Sequence, residues 1–239
     1  MALSVRGLGV AFGDRTVIHN LSFEVAQGDN LAIIGPNGTG KTVLLRALLN
    51  LVSYQGEIQW AGGTRLGYVP QSIAADRQLP LHVRDLLAAK ARFLKLPLDA
   101  LRDTARIVGL PAELLDTRVG VLSGGQFQKI LIAFALLGDP NVLLVDEPTA
   151  SLDELAQEHI YELLERLRRE RQLTVLLVSH DLSVVYQYAT KVLCLSAGAR
   201  CFGAPRDILT PKTLAEVYSA VPKFYQHSHL PSWGLDERG

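Results

Sequence analysis

Gly35-Pro36-Asn37-Gly38-Thr39-Gly40-Lys41-Thr42 stands between a continuous apolar run, Leu31 to Ile34, and a helical pattern, Val43 to Leu51. This is the form of a P-loop between a buried strand and a helix. Glycines let the backbone curl so that several N–H groups point at a bound phosphate, and the helix presents its partly positive N-terminus to the same anion. In that geometry Lys41 reaches the β and γ phosphates, and the Thr42 hydroxyl is placed to ligate Mg²⁺.

Working outward, two further apolar runs, Val142 to Val145 and Thr174 to Val178, are bounded by turn residues and read as strands buried on both faces. Between them Ala156, Ile160, Leu163, Leu164 and Leu167 recur at helical spacing, with Glu158, Glu162, Glu165, Arg166 and Arg168 on the other positions. That is an amphipathic crossover helix between parallel strands. From Pro80 to about Leu137 no strand is evident, and Val83, Leu86, Leu87, Ala91 and Leu94 share one face, so a helical unit is expected to interrupt the α/β core. The N-terminal part (Leu3, Val5, Val10, Phe12, then Val17, Ile18, Leu21, Phe23, Val25) alternates as antiparallel strands do. Past Pro205 the pattern weakens into short helical candidates, and residues 226–239 show no periodicity, so that tail is expected to fray.

Composition narrows the function. The chain has 239 residues, 48% of them hydrophobic, enough for a well-buried core. A formal net charge of zero gives no ground for a nucleic-acid partner. No stretch reaches the roughly 18 apolar residues needed to span a bilayer, and Met1 to Val10 does not read as a signal peptide. Cys194 and Cys201 are too few for a disulfide framework and lack metal-ligand spacing, which fits a reduced, cytosolic setting.

A second acidic feature, Asp146-Glu147 followed by Pro148, lies just past the C-terminal end of a buried strand, where ligands sit in open α/β sheets. Asp146 there would hold Mg²⁺, directly or through water, and Glu147 would orient or deprotonate the attacking water. Acids also end strands and cap helices, so the pair by itself decides little. The discriminating stretch is Leu122-Ser123-Gly124-Gly125-Gln126, ahead of a helical pattern and about twenty residues before Asp146. It resembles the signature motif of the ABC ATPases. In sequence order with the loop at Gly35 it identifies the chain as similar to that family from Phe12 to about Leu214.

The resemblance implies a P-loop NTPase fold of the ABC type: α/β, with a mostly parallel core sheet, an N-terminal antiparallel β subdomain and an inserted helical subdomain at about 78–138, all within residues 1–225. It implies that Ser123, Gly124, Gly125 and Gln126 bind the γ-phosphate of ATP held by a second subunit, and that Gln71, in the Q-loop position, senses Mg²⁺ and the lytic water. His180 matches the histidine that hydrogen-bonds the γ-phosphate. Phe12 resembles the aromatic that stacks on adenine, although a core role is open. Ser151 and Asp153 match the loop that crosses the dimer interface, and Asp153 can equally be a helix N-cap. The family's partners are a second nucleotide-binding subunit, here a homodimer, and transmembrane permease subunits at the cytoplasmic face of the membrane. Phe127-Gln128-Lys129 and Ile132-Ala133-Phe134 occupy a stretch that usually carries arginines, which puts the usual ion pairing of the signature helix in doubt.

The stretches Gly67 to Leu81, Lys191 to Leu195 and Pro205 to Tyr218 look like those of ATPases of zinc and manganese importers, which also work with an extracytoplasmic metal-binding protein. An exporter or lipid-pathway ATPase is the alternative; a soluble ABC ATPase of DNA repair would carry a long insertion between loop and signature, where only about eighty residues lie. His227 and His229 are read as solvated residues, since stable metal sites want three or four ligands.

Overall fold

The computed structural model describes residues 1–71, 81–150, 152–196 and 200–218. Ser151, the segment 72–80 that includes Pro80, and the tail with His227 and His229 lie outside the described residues.

Two sheets are formed. In the first, β1 (Leu3–Phe12) lies between β2 (Arg15–Val25) and β4 (Gln55–Trp60), all antiparallel. β1 and β2 turn Leu3, Val5, Leu8 and Val10, with Ile18, Leu21, Phe23 and Val25, into one apolar cluster. The second sheet has the order β5-β6-β7-β3-β8-β9, from β3 (Asn30–Ile34), β5 (Leu66–Val69), β6 (Val142–Asp146), β7 (Thr174–Val178), β8 (Lys191–Leu195) and β9 (Arg200–Gly203). It is parallel except for β9, which runs antiparallel to β8 at one edge. Every residue of β3, β6 and β7 is buried. Burying each Val, Leu or Ile side chain stabilises the fold by about 1.5–3 kcal/mol, which is why these uninterrupted apolar runs take the centre.

Helix α1 (Lys41–Leu48) follows β3, and α5 (Glu154–Arg171) crosses from β6 to β7 with Ile160, Leu163, Leu164 and Leu167 buried, the face its spacing predicts. Gln172 ends α5 in the left-handed conformation, φ 52°. The inserted unit comprises α2 (Val83–Phe93), α3 (Asp99–Ile107), two short 3-10 turns and α4 (Gly124–Leu136). On α2 Val83, Leu87 and Ala91 are buried as the pattern requires. Leu94, expected on the same face, falls past the helix end and is exposed, because Lys95 turns the chain at φ 56°. Short helices α6 (Leu182–Tyr188), α7 (Pro205–Ile208) and α8 (Pro211–Tyr218) complete the described chain.

The cysteines depart from the reduced pair expected of them. Register places Cys194 on β8 opposite Cys201 on β9, with Cα atoms 4.9 Å apart, and the two are joined as a disulfide. Two cysteines seven residues apart cannot signal this unless the antiparallel pairing of β8 with β9 is foreseen.

Near the end of α5, Glu165 accepts from Arg168 Nε and Nη2 (2.7 and 2.9 Å) and from Arg169 Nε (2.5 Å). These bonds, Arg168 first, hold its carboxyl below the usual carboxylate range. A depressed folded-state value means stability that is present above the ordinary value of 4.5 and lost as pH falls through the depressed one. Glu165→Gln is therefore expected to cost about 1 kcal/mol at neutral pH. Urea unfolding at two pH values checks this: the difference from the parent protein should shrink as Glu165 protonates.

Candidate nucleotide site

Strand order assembles the site. Because β5, β6, β7 and β3 are successive neighbours, their C-terminal ends deliver Gln71, Asp146 with Glu147, Ser179 with His180, and the Gly35 loop to one edge of the sheet. The registers Val69 to Val145, Asp146 to Val178 and Val178 to Ile33 make these ends level.

Gly35 leaves β3 at φ 148°, and a Cβ there would stand 2.0 Å from the backbone oxygen of Leu195 on β8. The loop closes with Gly40 in the left-handed conformation as the N-cap of α1, with no side-chain cap bond, so the first amides of the helix are left for a ligand. Lys41, only 5% exposed, donates from Nζ to the carbonyls of Gly35 (2.9 Å) and Pro36 (3.1 Å) and lies 3.7 Å from Glu147 Oε1. The buried ammonium thus has its charge met by the loop's own carbonyls and by the nearby Glu147 carboxylate.

Thr42 Oγ1 donates to Asp146 Oδ1 (3.2 Å), so the two oxygen ligands proposed for Mg²⁺ adjoin. Asp146 is 1% exposed; burial pushes its carboxyl above the usual range, opposed by the Thr42 bond. A buried carboxylate next to a hydroxyl is the hard oxygen donor set that Mg²⁺ takes, so these residues fit the ion. Glu147 diverges from its neighbour: at φ 42° it donates its N–H to Val178 O (3.1 Å), and its Oε2 accepts from Gln71 Nε2 (2.9 Å).

Phe12 is 53% exposed at the end of β1, which removes the core reading of this residue. A recess of about 450 Å³ beside the loop is lined by Val17, His19, Asn37, Gly38, Thr39 and Leu195. His180 is exposed past the end of β7, and Asp181 after it caps α6 through Ser183 N (2.8 Å) and Val184 N (3.3 Å).

Ser123 and Gln126 open α4 as a reciprocal capping box: Gln126 N donates to Ser123 Oγ (3.2 Å) and Ser123 N to Gln126 Oε1 (3.0 Å). With Gly125 they line a different recess, of about 300 Å³, whose other walls include Lys129, Ala156 and His159. Thus Ser123 and the Gly35 loop border separate cavities. Asp153 caps α5 by accepting from Ala156 N (2.8 Å), so its helix-capping reading holds.

Two residues of the site carry no motif signal. The Tyr68 hydroxyl lies 3.5 Å from Asp146 Oδ2, and buried Tyr161 joins Thr149 Oγ1 (2.8 Å) to Ser179 Oγ (3.5 Å), tying the loop after Glu147 to the one before His180. Tyr161 sits on the face of α5 whose spacing reads simply as core, and nothing in the sequence marks its hydroxyl.

Comparison with known proteins agrees with this geometry. Residues 18–150 match the family described as ABC transporter. The chain is 40% identical over 207 residues to the zinc import ATP-binding protein ZnuC of Roseobacter denitrificans, covering 85% of this chain and 78% of that one. It is 38% identical over 232 residues to the ZnuC of Yersinia pseudotuberculosis, covering 95% and 90%. Among solved structures it superposes with TM-score 0.76 and 26% identity on cbiO1 of Clostridium perfringens, part of the transporter complex cbiONQ, covering 89% of this chain and 92% of that one. With the loop, the acidic pair and the capped signature helix on one α/β scaffold, this chain belongs to the ABC transporter family and is one of its ATP-hydrolysing subunits.

Proposed function

We propose that this ATPase powers import of a divalent metal ion, zinc or manganese, through a separate membrane permease, working at the cytoplasmic face as one of two copies. The carrying observation is the division of the site: the loop, Asp146, Glu147 and Gln71 converge on one edge, whereas Ser123 and Gly125 line another recess. One copy therefore holds half of each site, and two copies arranged head to tail supply the other half. The zinc import names of the relatives support the substrate class.

In this reading Gly35 to Gly40 wrap the phosphates, Lys41 exchanges its bonds to Gly35 and Pro36 for phosphate oxygens, and Phe12 covers the base. Thr42 and Asp146 would hold Mg²⁺, with Gln71 completing the set; the ion's chemistry is charge neutralisation on the phosphates. Glu147, released from Gln71, accepts the proton of the attacking water, and His180 donates to the γ-phosphate. Ser123 and the α4 amides of the second copy grip the same phosphate, so its loss removes the contacts that favour the closed pair. Asp153, together with Ser151 outside the described residues, is assigned to the contact between the copies. Residues 1–225 form the ATPase domain, with the helical subdomain at about 78–138, and a metal-binding protein outside the membrane delivers the cargo.

No helix among the described residues is long and apolar enough to cross a membrane. The test is to purify the chain with its membrane subunit and measure ATP hydrolysis with the extracytoplasmic protein loaded with zinc, manganese or neither. Stimulation by about tenfold with one of the two metals is expected; equal rates with and without metal would refute the substrate class.

A further inference from the structure

Helix α4 presents Ser123 at one end, and its other end is held in an unusual way. The last four carbonyls of a helix have no partner within it. In α4 Leu137 N donates to Ala133 O (3.1 Å) and Asp139 N to Leu136 O (3.1 Å). The two between them are satisfied by a single side chain from another helix: Lys90 Nζ on α2 donates to Phe134 O (2.7 Å) and Ala135 O (3.3 Å). The last turn of α4 contains no basic residue of its own. A cation suits the partly negative end of a helix, so Lys90 supplies from outside what this sequence omits.

The Lys90 ammonium also lies 4.8 Å from the ring centroid of Phe134. Burial lowers the Lys90 pKa to about 8, so at neutral pH the side chain is still mostly charged. Ala135 O also lies close to β5: a Cβ on Gly67 would stand 2.8 Å from it. Three segments thus meet at one carbonyl. β5 leads into Gln71, α2 is the next described helix after Gln71, and α4 carries Ser123.

We propose that Lys90 is a positioning residue for ATP hydrolysis: by fastening the C-terminal carbonyls of α4 to α2, it fixes the helix bearing Ser123 in the orientation that the two-copy site needs. Closure of one copy on nucleotide then sets Ser123 for the partner copy's phosphate. This rests on the proposal that Ser123 completes a site on a second copy.

The test uses a Glu147→Gln background, in which pairing on ATP can be followed by light scattering, and a fluorescent ATP analogue that reports binding to the single copy. Lys90→Met, which keeps length but loses the donors, is expected to leave analogue affinity within about twofold and raise the ATP needed for half-maximal pairing about tenfold. Lys90→Arg should recover most of that loss. Pairing by Lys90→Met at the parent's ATP concentration overturns the proposal, and so does an Arg variant as defective as the Met variant. A purely structural role would lower melting temperature and analogue affinity together, which equally overturns it. Should Lys90→Met fail to fold, Phe134→Leu keeps the carbonyls and removes the ring; a rise of about threefold is expected, and unchanged pairing counts against the proposal. A Ser123→Ala, Gly125→Ala double variant run in parallel separates the two readings. If it pairs normally, the two-copy site itself fails; if it loses pairing while Lys90→Met does not, only the role of Lys90 fails.

Discussion

Glu147→Gln is expected to reduce steady-state ATP turnover by about 10³-fold or more while nucleotide binding persists. Glu147 has the placement of a proton acceptor: its backbone is held at φ 42° by the bond to Val178 O, so the side chain departs from the direction of Asp146. One carboxylate oxygen accepts from Gln71 and the other lies 3.7 Å from Lys41. The amide keeps the shape and the hydrogen-bond capacity toward Lys41, but it cannot take a proton. Bound ATP then persists, and with it the contacts that hold two copies together. Phosphate release under saturating ATP measures the first effect, and light scattering after addition of MgATP measures the second. Hydrolysis within tenfold of the parent would remove Glu147 from the reaction.

The second large effect is steric. Gly35→Ala is expected to weaken ATP binding by at least about 100-fold, because the new methyl has no place to go. The nearest atom, 2.0 Å from the built Cβ, is the backbone oxygen of Leu195, and the carbonyl carbon follows at 3.0 Å. That strand cannot recede cheaply, since β8 is paired with β3 through Leu31, Ala32, Ile33 and Ile34. The loop must yield instead, and φ 148° is itself strained for a residue with a side chain. Shifting the loop displaces the Gly35 and Pro36 carbonyls that hold Lys41, so cradle and cation are lost together. Titration with a fluorescent ATP analogue gives the affinity, and circular dichroism shows whether the sheet survives. Unchanged affinity would mean that β8 can move aside, and the close approach would then carry no function.

Much of this was legible because it is local. A loop that binds phosphate through its own amides needs its glycines, lysine and threonine within eight consecutive positions, and buried parallel strands need unbroken apolar runs. The Gly35 loop, the acidic pair, the capped start of α4 and the burial face of α5 could accordingly be read directly. β4 could not: of its six residues only Ile58 and Trp60 turn toward the core, too short an alternation to mark a strand, and its pairing with β1 runs through backbone bonds that leave no trace in side-chain type. The Cys194–Cys201 pairing depended on β9 lying antiparallel to β8, and Leu94 left its expected face because the helix stops one residue earlier.

Residue types and spacing alone settled that a phosphate cradle, an acidic strand end and a signature helix exist in this chain, since each is made within a single stretch. Only the folded sheet decided that Gln71 bonds Glu147, that Asp146 meets Thr42, that Tyr161 ties two loops and that Lys90 closes the end of α4. These contacts join positions far apart in the chain, and their distances follow from strand order and helix packing, which arise from burying the whole core at once rather than from any local pattern.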